Sequence, residues 1–275
     1  MRIINFSAVG TFSTRYNGTR QGITQHYDGG FHLADSTRGA IIHTWNLEGR
    51  IDTINRIELT DNDNNWTTAE HTDNRDMALD VHWGLQQIYD YLFHHHGINS
   101  FDNNPNNGFA IDAYIKYDTG NAADNAYWDP TMQILYFGEG RNRYRPVACL
   151  DAVAHEYGHG ITQFQIGWGN NQRHFHEGMS DIWGVILEHR INPNSNSVWQ
   201  IGEQITKNYQ CLRNIQNTND SNVEIKIADT FNSAQYNNAV GNLQPYVQGG
   251  VFSHWFYLLV NGGSGVNDLG NSYRV

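Results

Sequence analysis

The sequence predicts an α+β protein, with a β-rich first half and a mainly helical second half. Three observations carry this. Short β-prone runs separated by turns fill the first half, one strongly amphipathic stretch interrupts them, and from Leu150 onward apolar residues recur mostly at helical spacing. The first β-prone runs cover 22–27, 39–46 and 56–60. The amphipathic stretch follows: Met77, Val81, Leu85, Ile88 and Leu92 share one helical face, and Gly97 is placed to stop the helix. His94, His95 and His96 fall in its last turn, where polar or cationic groups suit the helix dipole, so they read as a solvated helix end. Runs 109–117 and 132–137 read as strands flanking an edge segment at Asn125 and Ala126. Asn- and Ser-rich stretches at 192–197, 214–222 and 232–242 read as loops. The organisation expected is a β-rich lobe over residues 1–149 and a helical lobe over 150–275, with a cleft between them.

Composition bounds the partners. A chain of 275 residues buries a sizeable core, and its formal net charge of −11 disfavours nucleic acid and anionic membranes. No apolar run is long enough to span a bilayer. The two cysteines, Cys149 and Cys211, both lie in apolar settings and read as buried free thiols. The first seven residues, Met1 to Ser7, lack the apolar core and cleavage site of a secretory signal.

The richest local signal is His155-Glu156-Tyr157-Gly158-His159. Residues four apart share a helix face, so both imidazoles reach one ion, and the Glu beside them is placed to take a proton from a bound water. Leu150, Val153, Ala154 and Ile161 surround the motif, as in a helix buried on most faces, and Asp151 sits at its start. An open zinc site needs a third protein ligand. Glu177, eighteen residues beyond His159, supplies it at the start of another helical stretch. Asp181, one turn later, faces the same way and is suited to hold a ligating imidazole through its other nitrogen. His174 and His176 flank Phe175 as outer or surface groups, and His254 in its apolar stretch reads as packing.

With these motifs the chain resembles the thermolysin-like zinc peptidases, which carry His-Glu-x-x-His on one helix and Glu-x-x-x-Asp on the next. The likeness runs nearly end to end, through 37–39, 61–67, 78–84, 125–128, 201–203, 212–213 and 255–259. It implies a two-lobed fold and a zinc-dependent endopeptidase that cuts before bulky hydrophobic residues. By resemblance, His155, His159 and Glu177 bind Zn2+ and Glu156 activates water. Asn125 and Ala126 would hold the substrate backbone, and Arg213 would grip a carbonyl after the cut. Leu212, Ile201 and Ile205 would line the pocket for the residue following the scissile bond. The family's Ca2+ sites map onto Asp61, Asp63 and the Asn65 carbonyl, and onto Asp151, Glu188 and Glu203. Val198 and Gln200 stand where two further carboxylates would be, so one ion is expected there. The Asp61 loop has the alternative reading of a polar turn without metal.

The departures cluster at one function. Where the family places an oxyanion-binding histidine this chain has Tyr246, and the Asp that would orient it has no counterpart near Gly241. A second oxyanion donor, a tyrosine, is also missing, with Trp168 the nearest aromatic; His176 replaces the Asn before the ligand Glu. Tyr246 is either a substitute donor or a packed aromatic. The rival to an enzyme is therefore a zinc-binding pseudopeptidase that holds extended peptides without efficient cleavage. The resemblance further implies an exported protein, a pro-segment in a precursor, and helices continuing past Val275, so that either the helical lobe is trimmed or the sequence is a fragment.

Overall fold

The computed structural model describes residues 6–67, 75–104, 110–118, 121–169 and 172–275. Strands β1 (Phe6–Ser13), β2 (Thr19–Tyr27), β3 (Gly30–His32), β4 (Ala34–Asp35), β5 (Ile41–Asn46), β6 (Ile57–Glu58), β7 (Thr60–Asp61) and β8 (Asn65–Trp66) precede helix α1 (Asp76–His96). Strands β9 (Ala110–Ile115), β10 (Ala126–Asp129) and β11 (Ile134–Phe137) follow. Helices α2 (Leu150–Ile166) and α3 (Arg173–Ile191) come next, then the short pair β12 (Gln200–Ile201) and β13 (Arg213–Asn214). A short helix α4 (Ala234–Asn237), helix α5 (Gln244–Asn261) and the hairpin β14 (Ser264–Val266) and β15 (Ser272–Arg274) complete the chain. This is the α+β architecture expected, with a β-rich first part and a helical second part.

Two sheets form the first part. One runs β7-β3-β2-β1-β8; the other runs β10-β11-β9-β5-β4, with β6 also paired to β5. The inward face of α1 packs with the second sheet and with α2 in one apolar core containing Met77, Val81, Leu85, Ile111, Leu135, Phe137, Val153 and Tyr157. Gly97 ends α1 in the left-handed conformation, its amide reaching back to Leu92 and Phe93, and His94 to His96 are exposed. Cys149 and Cys211 are buried free thiols, and His254 is buried with Nδ1 2.8 Å from the Ile215 carbonyl.

Several sequence expectations need correction. Strand β1 has no clear alternating apolar signature, because one of its two core-facing positions is Gly10, opposite Gly22 in the register, with Phe12 the other, while Val9 points outward. A Cβ on Gly10 would meet Asn64 Oδ1 at 2.4 Å and one on Gly22 the Phe12 ring at 2.1 Å, so large neighbours fill the space that side chains normally mark. The run 56–60 divides between two sheets, β6 joining β5 and β7 joining β3. The stretch 232–242 is not all loop: Ser233 accepts from the Tyr236 amide and caps α4. From Asn192 to Ser233 the chain is mainly turns, so the second part is less continuously helical than its pattern suggested. Phe109, at the start of an expected strand, and Met1 to Asn5 lie outside the described residues.

Glycines set the spacing of the helices that matter. A Cβ on Gly158 of α2 would meet Ser180 Cα of α3 at 3.1 Å and the Trp183 ring at 2.9 Å. A Cβ on Gly249 of α5 would sit 2.8 Å from both the Gly178 amide nitrogen and the His174 carbonyl. Those are backbone atoms and cannot swing away. Gly249→Ala is therefore expected to cost about 1–3 kcal/mol of stability by overpacking, and to weaken zinc binding by moving α3. Denaturant unfolding and chelator competition check both.

Candidate metal centre

Helix α2 begins at Leu150 and is fixed at its first turn by Asp151, whose carboxylate accepts the Ala152 amide at 2.8 Å and the Gly202 amide at 2.5 Å. One turn on, the helical period brings His155 and His159 to one face, their rings 4.8 Å apart and nearly perpendicular. The close approach at Gly158 lets α3 present Glu177 to both. Glu177 Oε2 lies 3.2 Å from His155 Nε2 and 3.7 Å from His159 Nε2. One ligand atom from each of the three lies within 4.8 Å of the others, and all three residues are buried.

These residues fit a zinc ion. Ligands about 2.0–2.1 Å from an ion at tetrahedral angles stand roughly 3.3 Å apart, close to the 3.2 and 3.7 Å that separate Glu177 from the two imidazoles. Glu177 Oε2 makes no hydrogen bond of its own, and neither do Glu156 Oε2 or His159 Nδ1. Unsatisfied buried acceptors converging with two imidazoles call for a cation.

The outer contacts reinforce the centre. His155 Nδ1 lies 2.8 Å from Asp181 Oδ1, and Asp181 in turn accepts from Arg213 Nη2 at 2.6 Å and Nε at 2.8 Å. Burial alone would push His155 down, but Asp181 and Glu177 outweigh it and raise it to about 10. Burial opposes ionisation of Asp181, yet Arg213 and His155 hold it well below the usual carboxylate range. Burial, with the charge on His155, keeps His159 far below the ordinary imidazole range. Glu156 is raised by burial to about 7, with His155 and the Trp128 amide pulling the other way, so it is poised as a base near neutrality. Its neighbour Trp128 belongs to β10, which ties the base to the edge of the sheet.

A cleft of about 610 Å³ opens on this centre. It brings together Asn125, Ala126, His155, Glu156, Ile201, Ile205, Leu212, Arg213 and Tyr246, and adds residues that sequence reasoning did not single out: Arg143, Tyr144, Val147 and Arg173. Strand β10 borders the cleft as the outer strand of its sheet, so its free edge is open to an extended chain. Ile201, Ile205, Leu212 and Val147 form an apolar recess beside it. Arg213 has its guanidinium on Asp181 and 4.9 Å from the Tyr246 ring centre. Tyr246 thus faces the cleft, and its hydroxyl has no hydrogen-bond partner among the described residues; the charge of Glu177 and burial keep it protonated. His176 is held by its Nε2 2.9 Å from the Gly167 carbonyl and packs on Trp168, whose ring meets that of His159 edge-on at 5.8 Å. His174 stacks on Phe252.

The remaining expected sites are looser. Asp61 Oδ1 accepts the Asp63 and Asn64 amides and Asp63 accepts the Asn65 amide, the hydrogen bonds of a polar turn. Asp151, Glu188 and Glu203 border one another electrostatically, but among the described residues only His155, His159 and Glu177 bring their ligand atoms within 4.8 Å.

Two imidazoles on one helix, a carboxylate from the next, and a glutamate with one unsatisfied buried oxygen beside them match the residue pattern of the zinc-peptidase class. The chain belongs to the thermolysin metallopeptidase family: the model of its catalytic domain matches residues 9–163 and that of its alpha-helical domain residues 170–274. Among similar proteins, the transglutaminase-activating metalloprotease of Streptomyces mobaraensis is 26% identical over 98% of this chain and 34% of its own length. Bacillolysin of Brevibacillus brevis is 28% identical over 91% of this chain and 42% of its own length. Thermolysin of Alicyclobacillus acidocaldarius is 31% identical over 65% and 31%. The chain thus spans about a third to two-fifths of the length of these relatives. In fold it is similar to the precursor of protealysin, a metalloproteinase from Serratia proteamaculans, with a TM-score of 0.59, 18% identity, and coverage of 81% of this chain and 69% of that one.

Asp181→Asn is expected to lower zinc affinity about 10–100-fold, read by chelator competition. Leaving Arg213 buried without its counter-charge should also cost about 3 kcal/mol in denaturant unfolding. Adding Arg213→Met should recover much of that stability without restoring zinc affinity.

Proposed function

We propose that the chain is a zinc-dependent endopeptidase. The observation that carries this is the convergence of His155, His159 and Glu177 with Glu156 Oε2 left unpaired beside them at the floor of an open cleft. Zinc held by the three ligands would supply Lewis acidity and lower the pKa of a water. Glu156 would take a proton from the water attacking a peptide carbonyl and pass it to the leaving nitrogen. The free edge of β10, at Asn125 and Ala126, holds the substrate backbone in extended form. The recess of Leu212, Ile201 and Ile205 accepts a bulky apolar side chain after the cut. Arg213 orients a carbonyl on that side with the N–H groups that Asp181 leaves free. Tyr246 donates its unpartnered hydroxyl to the developing oxyanion, a contribution of about 2.7–4 kcal/mol to the barrier for donors of this type.

Digestion of an unfolded protein by the zinc-loaded chain tests this. Cutting should disappear with a chelator and in Glu156→Gln, the latter keeping its zinc. Tyr246→Phe should lower kcat about a hundredfold with little change in KM. A folded, zinc-loaded chain that binds peptides and cuts none would instead be the pseudopeptidase.

For Ca2+ we propose the Asp61 and Asp63 loop with the Asn65 carbonyl, and one ion at Asp151, Glu188 and Glu203. Support for the second is an uncompensated acidic group: burial, then the charge of Asp151, raises Glu188 to about 7 and Glu203 to about 8. A second cavity of about 490 Å³ is lined by Glu188, Glu203 and neighbouring amides. Carboxyls raised above their unfolded values contribute stability below about pH 4 that is lost as pH rises through about 7 to 8. Calcium replaces those protons, so about 1 mM calcium should raise Tm more near pH 8 than near pH 5. An equal effect at both pH values, or none, removes this site. Millimolar calcium is an extracellular condition, in keeping with an exported protein whose precursor carries a pro-segment over the cleft. The helical lobe, taken as residues 150–275, would carry the centre and the lobe over 1–149 the substrate edge.

A further inference from the structure

Three arginines line the cleft, and they are not alike. Arg143 pairs with Glu224, and Arg213 with Asp181. Arg173 is exposed and has no ion pair, hydrogen bond or aromatic contact among the described residues, although Lys and Arg together number only 17 against 28 acidic residues. It is the first residue of α3, whose first turn contains no acidic residue and whose N-cap makes no side-chain bond. A cation at that position opposes the helix dipole, where Asp or Glu would be favoured, so helix formation does not account for it. Its placement relative to the centre is fixed by the helical period. Arg173 lies four residues before the ligand Glu177, one turn away on the same helix face, and it lines the cleft with His155 and Glu156.

Resting on the reading of the cleft as a peptide-binding site, we propose that Arg173 is a specificity-determining residue that selects substrates carrying a carboxylate, Asp or Glu, within a few residues of the scissile bond. The planar guanidinium suits bidentate capture of a carboxylate, and the first-turn amides of α3 add partial positive charge beside it. The cleft's remaining charges do not duplicate this. Asp124 is engaged by the amides of Arg141, Asn142, Arg143 and Tyr144, while Glu177 belongs to the metal-ligand set and Glu156 lies beside it. An acidic side chain at the rim therefore meets one unpaired cation, whereas a lysine there meets repulsion.

Binding tests this independently of cleavage. Labelled synthetic peptides with one apolar anchor, and Asp, Asn or Lys placed in turn at each of the flanking positions, are titrated into the zinc-loaded Glu156→Gln protein. At one position Asp should bind about fivefold more tightly than Asn, and the difference should shrink in high salt. Arg173→Gln should abolish the preference and Arg173→Glu should reverse it toward Lys. Neither substitution should lower Tm, since both relieve the charge at the helix start. Equal binding of Asp and Asn peptides at every position, or an Asp preference that survives Arg173→Gln, overturns the proposal. A wild-type chain that binds acidic peptides through Arg173 but never cuts defeats the peptidase reading alone. No peptide binding at all by the folded, zinc-loaded protein defeats both.

Discussion

The approach of α3 to α2 across Gly158 is the constraint on which the rest of the structure depends. Any Cβ there would meet the backbone of Ser180 at 3.1 Å and the ring of Trp183 at 2.9 Å, so that α3 would have to give by a few tenths of an ångström. A metal centre tolerates displacements of only a few tenths of an ångström. His155 and His159, four residues apart, are held by one helix and are insensitive to that spacing. Glu177 and Asp181 are not: both reach the imidazoles from α3. The same requirement recurs on the far side of α3, where Gly178 and Gly249 bring α5 close enough to set Tyr246 and its neighbours along the cleft wall. Three helices are thus stacked through glycine contacts, and the centre lies along that stack.

Charge is the second organising element. From the centre outward run His155, Asp181, Arg213 and the Tyr246 ring, each satisfying the one before it. Every ion in that series is compensated, so its burial is sustainable. Glu156 and Glu177 break the pattern, with buried oxygens that no protein donor satisfies. An ion bound there would satisfy those oxygens. Metal affinity and folding stability are then the same free energy measured twice. The His155 ring takes its orientation from Asp181, whereas His159 Nδ1 has no such partner and relies on the packing of Trp168 and His176.

What the sequence disclosed follows from period and chemistry. Residues four apart on a helix must share a face, so His155 with His159, and Glu177 with Asp181, were legible before any fold was known. Helix α1 was legible for the same reason, and Gly97 marked its end. Strand β1 was not, because of its two inward positions one is Gly10, whose space is filled by Asn64, and only Phe12 carries an apolar side chain inward. The cleft residues Tyr144 and Val147 come from an irregular segment with no periodicity to read. Arg173 did carry a signal, its position one turn before Glu177. A lone arginine at a helix start ordinarily reads as a solvated charge, and only its place in the cleft without a partner among the described residues separates it from that.

The cleft also shows how an acidic protein accommodates an acidic ligand. At long range a net charge of −11 repels carboxylates. That repulsion is screened beyond about 8–10 Å at physiological salt, so it slows encounter without deciding affinity. Within the cleft the balance is local. Arg213 and Arg143 already have carboxylate partners, and a ligand competing for them must displace a good contact. Arg173 has none to displace, so a substrate carboxylate gains the whole interaction. Selectivity at this rim therefore depends on which arginine the fold leaves unpaired, and not on how many arginines line the cleft or on the sign of the net charge.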